Sequence, residues 1–321
     1  MQGNYNQSRL PVNPKASPEA VSLLNFLYEI QGKKILSGQH NLLGRMSQTT
    51  DKIFEMTGKY PAVWGSDFGF SDDRNDVDNI KYRGRLFEEI QKQYERGSII
   101  VLTYHQANPV EGEPCLFKPG VIYSLTDNQW NDLFDEGSEI YKKWKEMMEL
   151  LAEFLKKVEA LRIPIIFRPY HEMNGSWFWW GNRPGEHKGY QELWRNTYRF
   201  ITEDCQIHNL LWSWCCDKPL EGFENYYPGD DLVDLLGADL YTSQDYPELF
   251  PENYYNKMKR LANTKPFALT ENCHVIPDEK IASQKWLWFM FWDTLVLEKN
   301  SPEEIIRIMS HPDVISAPIK F

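Results

Sequence analysis

The sequence predicts a single (β/α)8 barrel, and three observations support this α/β fold class. Eight short apolar segments alternate with helical stretches over 321 residues, a length typical of such barrels. The apolar cores are continuous, as in Ile99–Leu102, which indicates parallel strands buried on both faces. The first strand ends in Ser37–His40, and no glycine-rich phosphate loop follows it. An open, doubly wound sheet often has such a loop there, so the closed barrel is favoured.

The predicted strands share a short apolar core and an end rich in polar or aromatic residues. In chain order they are Lys34–His40, Tyr60–Gly69, Ser98–Gln106, Ile163–Met173, Asn209–Asp217, Asp234–Ser243, Lys265–Cys273 and Trp286–Thr294. Runs of this length, separated by helical patterns, are typical of repeated βα units and a parallel sheet.

Periodicity and capping residues predict the helices between these strands. The clearest is Glu139–Leu161, whose apolar residues recur at i, i+3, i+4 and i+7. Val77–Arg96 is predicted to end before Gly97, because glycine readily adopts the left-handed conformation of a helix C-terminus. Gln191–Cys205 has the same helical spacing, and the connection over residues 273–286 has room for a small helix at most.

Composition and charge exclude several classes of protein. Lys plus Arg total 35 and Asp plus Glu total 46, so the formal net charge is −11, whereas a nucleic-acid-binding protein has a basic surface. No apolar run approaches the roughly 18 residues of a membrane-spanning helix. No linker or shift in composition divides the chain, so we expect one domain over residues 1–321 that begins with an irregular segment over residues 1–17.

Polar and aromatic side chains collect at the ends of the predicted strands. In a (β/α)8 barrel the chemistry takes place where strands end and the following loops begin. The residues at these ends are Gln39, His40, Trp64, Asp67, His105, Gln106, Arg168, His171, Glu172, Trp212, Trp214, Asp217, Asp239, Tyr241, Glu271, Asn272, Trp292 and Asp293. Because buried polar groups cost free energy, their concentration predicts a binding or catalytic site.

Two carboxylates stand out among these residues. Glu172 ends the fourth predicted strand and Glu271 ends the seventh. These strands lie three places apart around an eight-stranded ring, so their side chains can face each other across the mouth. Two facing carboxylates are the minimal machinery for glycoside hydrolysis, in which one protonates the leaving oxygen and the other attacks the anomeric carbon or activates water.

The aromatic residues support the same interpretation. Nine of the 12 tryptophans fall in the predicted strands or just after them, whereas Trp130, Trp144 and Trp194 fall elsewhere. A sugar ring packs its apolar C–H face on an aromatic platform, so a tryptophan-rich rim is what a polysaccharide cleft requires. We expect Trp177 and Trp292 to be functional, and Trp144 and Trp194 to belong to the core.

One long segment of the sequence resembles a motif of a known family. The segment Phe167–Gly181, FRPYHEMNGSWFWWG, is closely similar to the acid/base motif of glycoside hydrolase family 26, the β-mannanase family. Shorter matches in the expected order extend the resemblance over nearly the whole chain, and they are Ser37–His40, Thr103–Pro109, Trp212–Trp214, Gly237–Tyr241, Leu269–Glu271 and Trp292. The long motif is highly specific, and the short ones gain weight from their order.

The resemblance implies a retaining (β/α)8 enzyme and a role for each matching residue. Glu172 would be the general acid/base and Glu271 the nucleophile. Tyr241 would hydrogen-bond the nucleophile, and Trp292 would carry the sugar at the cleavage point with Trp177 nearby. The remaining implied sugar or supporting contacts are His105, Arg168, Asp239 and His171, which precedes the acid/base where related barrel glycosidases usually carry Asn.

The implied substrate is a β-1,4-mannan, cleaved within the chain without a metal or organic cofactor. The alternatives are an exo-acting mannobiose-releasing enzyme, a β-glucan or β-1,3-xylan hydrolase, and an inactive carbohydrate-binding barrel. We expect a monomer that binds no nucleic acid and has no membrane-spanning segment. Because polymeric mannan cannot enter a cytoplasm, we also expect an exported protein, although this chain shows no signal peptide.

Two further segments attract attention. The long connection over residues 108–137 is expected to wall one end of the cleft, because long structured loops in compact domains are commonly functional. The acidic run at Asp72, Asp73, Asp76 and Asp78 lacks the glycine and spacing of an EF-hand. We interpret it as a solvated loop and helix N-terminus, where acidic residues are favoured.

Overall fold

The computed structural model describes residues 9–70 and 80–321. The acidic run at residues 72–78 and the first eight residues lie outside this part. Residues 9–17 carry neither helix nor strand, and the first helix begins at Pro18 behind its N-cap Ser17. The helices are α1 Pro18–Ile30, α2 Gln48–Thr57, α3 Arg83–Glu95, α4 Phe117–Gly120, α5 Asp127–Asp132, α6 Glu139–Ala160, α7 Tyr190–Arg199, α8 Glu252–Ala262, α9 Asp278–Ser283, α10 Leu295–Lys299 and α11 Pro302–Ser310.

Eight parallel strands close into a barrel, which confirms the predicted fold class. They are β1 Ile35–Asn41, β2 Val63–Asp67, β3 Ile99–Tyr104, β4 Ile165–Pro169, β5 Leu210–Asp217, β6 Leu235–Leu240, β7 Phe267–Asn272 and β8 Trp288–Trp292. Each strand pairs with the next in the chain, and β8 returns to β1. All eight strands lie within the predicted segments except that β1 continues one residue further, to Asn41.

Strand alternation separates the apolar residues into two sets and explains why the strands are apolar throughout. The inner set, with members such as Val63, Ile166 and Leu235, packs in one cluster with α1, which covers the N-terminal end of the barrel. The outer set, with members such as Trp64 and Ile165, packs in a second cluster with the surrounding helices. Successive side chains of a strand point to opposite faces, so both faces of each strand are buried.

The helix predictions are confirmed in position and corrected at their ends. α6 spans Glu139–Ala160 and buries the predicted apolar face. The predicted helix Val77–Arg96 is described only from residue 80, and α3 within it spans Arg83–Glu95. The predicted helix Gln191–Cys205 is α7 followed by a π-helical turn at Phe200–Asp204. A short helix, α9, lies in the connection over residues 273–286 as expected.

A ninth, two-residue strand, which the sequence did not predict, lies beside the start of β1. β9, Val314–Ile315, pairs with the start of β1, and the chain after it crosses the turn at Gly97, where Ile319 donates a backbone hydrogen bond to the Gly97 carbonyl at 2.7 Å. Gly97 has a φ of +88°, as the predicted left-handed cap requires, and a Cβ there would lie 2.7 Å from Pro318 Cβ. The turn therefore requires glycine.

Among the helices of residues 9–70 and 80–321, none combines the length and the apolar character that a membrane-spanning segment needs.

Candidate active site

The inward-facing positions of the strands become polar towards their C-terminal ends. Ile166 on β4 and Leu235 on β6 face the barrel interior, and the same alternation brings Arg168 and Asp239 to that interior further along. Both side chains are fully buried. On β8, Trp288 and Met290 belong to the inner set, and the next inward position is Trp292. The strand register thus collects polar and aromatic groups at one end of the barrel.

A pocket of about 270 Å³ opens above these residues. It is lined by His105, Phe117, Ile122, His171, Glu172, Trp177, Phe178, Tyr241, Glu271, Trp292 and Leu295. Seven of the nine residues predicted for the site line it together. The other two, Arg168 and Asp239, lie behind Glu271 in the barrel interior and not on the pocket wall. A larger cavity of about 500 Å³ borders α8, and none of the predicted site residues lines it.

Glu271 is a buried carboxylate held by donors on two sides. The Arg168 guanidinium donates to Oε1, and the Tyr241 hydroxyl donates to Oε2 at 2.9 Å. Arg168 also donates to Asp239 Oδ2 at 2.8 Å, and Asp239 Oδ1 accepts from Thr270 at 2.6 Å. These bonds fix the Glu271 carboxylate at the floor of the pocket and favour its ionised form.

Glu172 sits on a backbone that turns sharply after β4. Tyr170 and Glu172 both have a positive φ, +48° and +56° respectively, which side chains other than glycine rarely adopt. The turn is held by a backbone hydrogen bond from Glu172 N to the Cys215 carbonyl at 2.9 Å. The Glu172 carboxyl is only partly buried, and its Oε2 accepts from the Trp177 indole at 2.9 Å.

The surroundings of the two carboxyls favour different protonation states. Burial raises the pKa of Glu172 well above its ordinary value, and the Glu271 charge raises it further. Burial and the Asp239 charge also raise the pKa of Glu271, but the Arg168 guanidinium and the Tyr241 hydroxyl oppose this rise. Among the residues that the structure describes, no cationic side chain lowers the pKa of Glu172 in the same way. Glu271 is therefore the member of the pair that ionises first.

The histidines of the site are oriented by neighbouring groups. Asp67 Oδ2 accepts from His105 Nδ1 at 2.7 Å and from the His105 backbone N–H at 3.1 Å. Burial and the Arg168 charge lower the pKa of His171 well below its ordinary value. Burial and Arg168 likewise lower the pKa of His40 to about 3, and its ring stacks on Trp292 with centroids 4.0 Å apart. His171 and His40 are therefore neutral near pH 7.

One group of side chains has the composition of a metal site. His171, Asp239 and Glu271 each offer a ligand atom within 4.8 Å of the others, and all three are buried. Arg168 bonds both carboxylates, and although burial opposes its charge, these carboxylates raise the pKa of its guanidinium well above the usual value. A divalent cation at this place would meet a fixed positive charge. The donor set therefore fits an arginine-neutralised carboxylate pair and not a metal centre.

The tryptophans form a narrower rim than the sequence suggested. Trp177, with 37% of its surface exposed, and the partly buried Trp292 line the pocket. The other tryptophans in or after the strands are buried, and they are Trp64, Trp179, Trp180, Trp212, Trp214, Trp286 and Trp288. Trp144 and Trp194 belong to the core as predicted. The prediction of a tryptophan-rich rim was therefore wrong in extent: Trp64, Trp212 and Trp214 pack in the outer cluster with the helices, and Trp288 belongs to the inner set.

Several residues of the site were not among those predicted. Asp67 and His40 were recognised as strand-end residues but were not assigned to the site, although they support His105 and Trp292. Phe117 and Ile122 come from the long connection after β3, and Phe178 comes from the loop after β4. The expectation that the connection over residues 108–137 walls the cleft agrees with this lining. Apolar loop residues carry no sequence signal that separates them from core residues.

Comparison with known proteins decides the family. The model of "Glycosyl hydrolase family 26" matches residues 12–316 of the chain. The chain belongs to glycosyl hydrolase family 26. Membership in this family makes the protein a glycoside hydrolase, an enzyme that cleaves glycosidic bonds.

Relatives of this family 26 chain are similar along most of its length. The mannan endo-1,4-beta-mannosidase of Bacillus subtilis (strain 168) is 29% identical over 279 residues, which are 81% of this chain and 72% of that protein. The mannan endo-1,4-beta-mannosidase of Thermothelomyces thermophilus is 28% identical over 325 residues, 95% of this chain and 62% of that protein. The chain thus spans about two thirds of the length of these relatives.

Solved structures of family 26 proteins share the fold. GH26A from Muricauda sp. MAR_2010_75 superposes with a TM-score of 0.88 at 32% identity, covering 96% of this chain and 100% of that one. The beta-mannanase from a symbiotic protist of the termite Reticulitermes speratus, solved with a gluco-manno-oligosaccharide, has a TM-score of 0.82 at 26% identity and covers 98% of each chain.

Proposed function

We propose that this family 26 hydrolase is a retaining endo-β-1,4-mannanase in which Glu172 is the general acid/base and Glu271 the nucleophile. The observation that carries the proposal is the asymmetry of the two carboxyls in one pocket. Glu271 accepts from Arg168 and Tyr241. The Glu172 carboxyl accepts from one described side chain, the Trp177 indole, and the Glu271 charge raises its pKa. A retaining hydrolase needs this division between an ionised and a protonated carboxyl.

The reaction proceeds in two displacements. An oxygen of Glu271 attacks the anomeric carbon, the bond to the leaving sugar breaks, and Glu172 gives its proton to the leaving oxygen. A glycosyl ester on Glu271 results. Glu172, now ionised, takes a proton from water, and the water oxygen attacks the same carbon and releases Glu271 as a carboxylate. Retention requires a carboxyl separation of about 5–5.5 Å.

The remaining residues position the sugar or the carboxyls. Trp292 lines the pocket, and His40 covers one of its faces, so the sugar ring packs on the face left open. His105 and His171 offer ring nitrogens to sugar hydroxyls on the pocket wall. Arg168 and Asp239 act from behind: they hold Glu271 in place without contacting the substrate.

Mannan as the substrate rests on the relatives. The mannosidases of Bacillus subtilis and Thermothelomyces thermophilus are named for endo cleavage of mannan, and the termite-protist structure is a beta-mannanase. The pocket is open and is walled by loops on two sides, which suits a polymer that passes through it. We infer a secreted enzyme from the size of the substrate and the named activities of the relatives, and a monomer stays a prediction from the sequence.

The deciding experiment follows product lengths over time with linear mannan, galactomannan, glucomannan, mixed-linkage glucan and β-1,3-xylan. An endo-mannanase releases a spread of manno-oligosaccharides early and prefers the mannans. Early release of mannobiose alone would instead establish the exo-acting alternative. Preference for mixed-linkage glucan or β-1,3-xylan would make that polysaccharide the substrate in place of mannan. Binding without hydrolysis would show an inactive carbohydrate-binding barrel. NMR of the first product gives the anomeric configuration.

A further inference from the structure

Asp67 is a buried carboxylate that lies behind the wall of the pocket and does not line it. The strand register pairs Asp67, at the end of β2, with Thr103 on β3. Val63 and Val101 belong to the inner set of these two strands, so alternation turns Asp67 and Thr103 towards the barrel interior as well. His105 follows β3 directly, and the register therefore brings the Asp67 carboxylate beside its ring.

Both oxygens of the Asp67 carboxylate accept hydrogen bonds from fixed donors. Oδ1 accepts from the backbone N–H groups of Gly69 and Phe70, the latter at 2.9 Å. Only glycine suits this turn, because a Cβ at Gly69 would lie 2.3 Å from the His105 carbonyl oxygen. Oδ2 accepts from the His105 backbone N–H at 3.1 Å and from His105 Nδ1 at 2.7 Å. Three backbone donors thus hold the carboxylate against the ring.

The ionised state of Asp67 decides which nitrogen of His105 carries a hydrogen. Burial alone would raise the pKa of Asp67, but the His105 ring and the Phe70 N–H outweigh it and lower the pKa below its ordinary value. An ionised carboxylate only accepts hydrogen bonds, so Nδ1 is the donor in the 2.7 Å contact. In a neutral imidazole with its hydrogen on Nδ1, the other nitrogen, Nε2, is an acceptor.

The Nε2 atom of His105 is left for the pocket. The ring makes T-shaped contacts with His171 and Phe178, with centroids 4.5 Å and 5.2 Å apart, which restrict its rotation. It forms part of the pocket wall. Within residues 9–70 and 80–321 no group hydrogen-bonds Nε2, and the atom is not sealed from solvent. A sugar hydroxyl in the pocket can therefore reach it.

We propose that Asp67 is a positioning residue that makes His105 Nε2 an acceptor for one hydroxyl group of the sugar at the cleavage point. This inference rests on the proposed function and deepens it, because it gives the direction of a hydrogen bond to the substrate. The hydroxyl must donate, so a sugar with a group at this position that cannot donate loses the bond. Asp67 would thus contribute to substrate specificity without touching the sugar.

The position of the hydrogen is tested first on the wild-type enzyme, by long-range ¹H–¹⁵N NMR of the histidine rings. The His105 signals are identified by their absence from His105→Gln. At the pH of maximal activity we expect a hydrogen on Nδ1 alone. In Asp67→Asn we expect it on Nε2, because the asparagine amide donates to Nδ1. A hydrogen on Nε2 of the wild-type ring, with or without one on Nδ1, overturns the proposal even if Asp67→Asn does not fold.

The kinetics of Asp67→Asn then test whether a sugar hydroxyl donates to Nε2. The substrates are aryl β-mannobiosides in which fluorine, which cannot donate, replaces each hydroxyl of the sugar at the cleavage point in turn. The electronic effect of fluorine is common to both enzymes and cancels when their losses of kcat/KM are compared. At one position the wild-type loss should exceed that of Asp67→Asn about fivefold to tenfold, as one hydrogen bond implies. At the other positions the losses should agree within about twofold.

The matched control is Asp234→Asn. Asp234 is also a buried carboxylate, and it accepts from the backbone N–H groups of Val12 at 2.8 Å and Trp212 at 2.7 Å, before the start of β6 and so at the other end of the barrel. Both substitutions replace an accepting oxygen by a donor, so both should lower the melting temperature. Asp234→Asn should nevertheless show the wild-type losses at every fluorinated position.

Equal losses in the wild type and Asp67→Asn at every position would leave Asp67 a structural role alone and overturn the proposal. The same change in Asp234→Asn as in Asp67→Asn would also overturn it, because the effect would then follow from lower stability. Failure of the wild-type enzyme to cleave any mannan or mannoside would instead overturn the proposed function.

Discussion

Asp239 on β6 pairs with Glu271 on β7, whereas Ala238, one residue earlier, pairs with Leu269, two residues before Glu271. Thr270 is the extra residue of this β-bulge. Strict alternation would place Glu271 on the same face as Leu269, which packs in the outer cluster. The bulge instead turns Glu271 inwards to Arg168, because a bulge re-aims the side chains that follow it.

The nucleophile is tested by Glu271→Gln. The amide preserves shape but cannot form the glycosyl ester, so kcat on mannan should fall at least about 10³-fold. The matched control is Glu186→Gln, at an exposed position in the loop after β4, and it should retain full activity. Circular dichroism should show an intact fold in both variants. A Glu271→Gln enzyme with native kcat would exclude Glu271 as the nucleophile.

The pH dependence of kcat/KM should be bell-shaped, with one limb from each carboxyl. As the proposed nucleophile, Glu271 must be ionised, so activity should be lost as the pH falls through its pKa. As the proposed acid, Glu172 must be protonated, so activity should be lost as the pH rises through its pKa. Burial raises both pKa values, and the acid limb should therefore lie above the ordinary glutamate pKa of about 4.3.

The assignment of the two limbs can be checked with Glu172→Gln and an aryl β-mannoside whose leaving group needs no proton. The alkaline limb of the first step should disappear while the acid limb remains. Hydrolysis of mannan by this variant should fall by about 10²- to 10⁴-fold, the usual contribution of a general acid. If the acid limb disappeared and the alkaline limb remained, Glu172 would be the nucleophile and Glu271 the general acid/base.

Tyr241→Phe removes one of the two donors to Glu271. The pKa of Glu271 should rise, which shifts the acid limb of kcat/KM to higher pH, and kcat/KM at the optimum should fall about tenfold. Tyr246→Phe is the control, because Tyr246 lies on the same loop and its hydroxyl makes no hydrogen bond to any described residue. An unshifted acid limb in Tyr241→Phe would show that this hydroxyl does not tune Glu271.

Stability is predicted to respond oppositely to two glycine substitutions. Gly97→Ala introduces a Cβ at a φ of +88° and 2.7 Å from Pro318 Cβ, so we expect a loss of about 2–3 kcal/mol. Gly84→Ala, in α3 with no atom within 4 Å of the new Cβ, should stabilise the protein by about 0.5–1 kcal/mol. Thermal unfolding of both variants measures the difference, and equal melting temperatures would contradict it.

The strands and the family motif could be predicted because their signals are local. A run such as Ile99–Leu102 is apolar on both faces, and this occurs when a strand lies between a barrel interior and a helix layer. Glu172 was found for a similar reason, since its motif is contiguous over Phe167–Gly181. The two-residue strand β9 was missed because Val314–Ile315 is too short to show any period.

The direction of side chains could not be read from the sequence. The residues around Trp212 and Trp214 show no alternation of polar and apolar side chains that would tell the inner face of the strand from the outer face. Both tryptophans are buried. The bulge at Thr270 has no sequence signature here, yet it decides where Glu271 points. Phe178 and Ile122 enter the site through a contact between two loops, and such contacts depend on the assembled barrel.

The loops after β3 and β4 line the pocket through Ile122 and Phe178, and their contacts affect how the enzyme loses activity on heating. The Ile122–Phe178 β-bridge and the hydrogen bond from Arg183 to the Leu125 carbonyl join the two loops, so they do not form a separately melting lid. Inactivation should then coincide with global unfolding, and the temperature at which half the activity is lost should match the calorimetric midpoint. Such an enzyme stays active up to its unfolding temperature. A substitution that raises the melting temperature should therefore raise the temperature of half-inactivation by the same number of degrees.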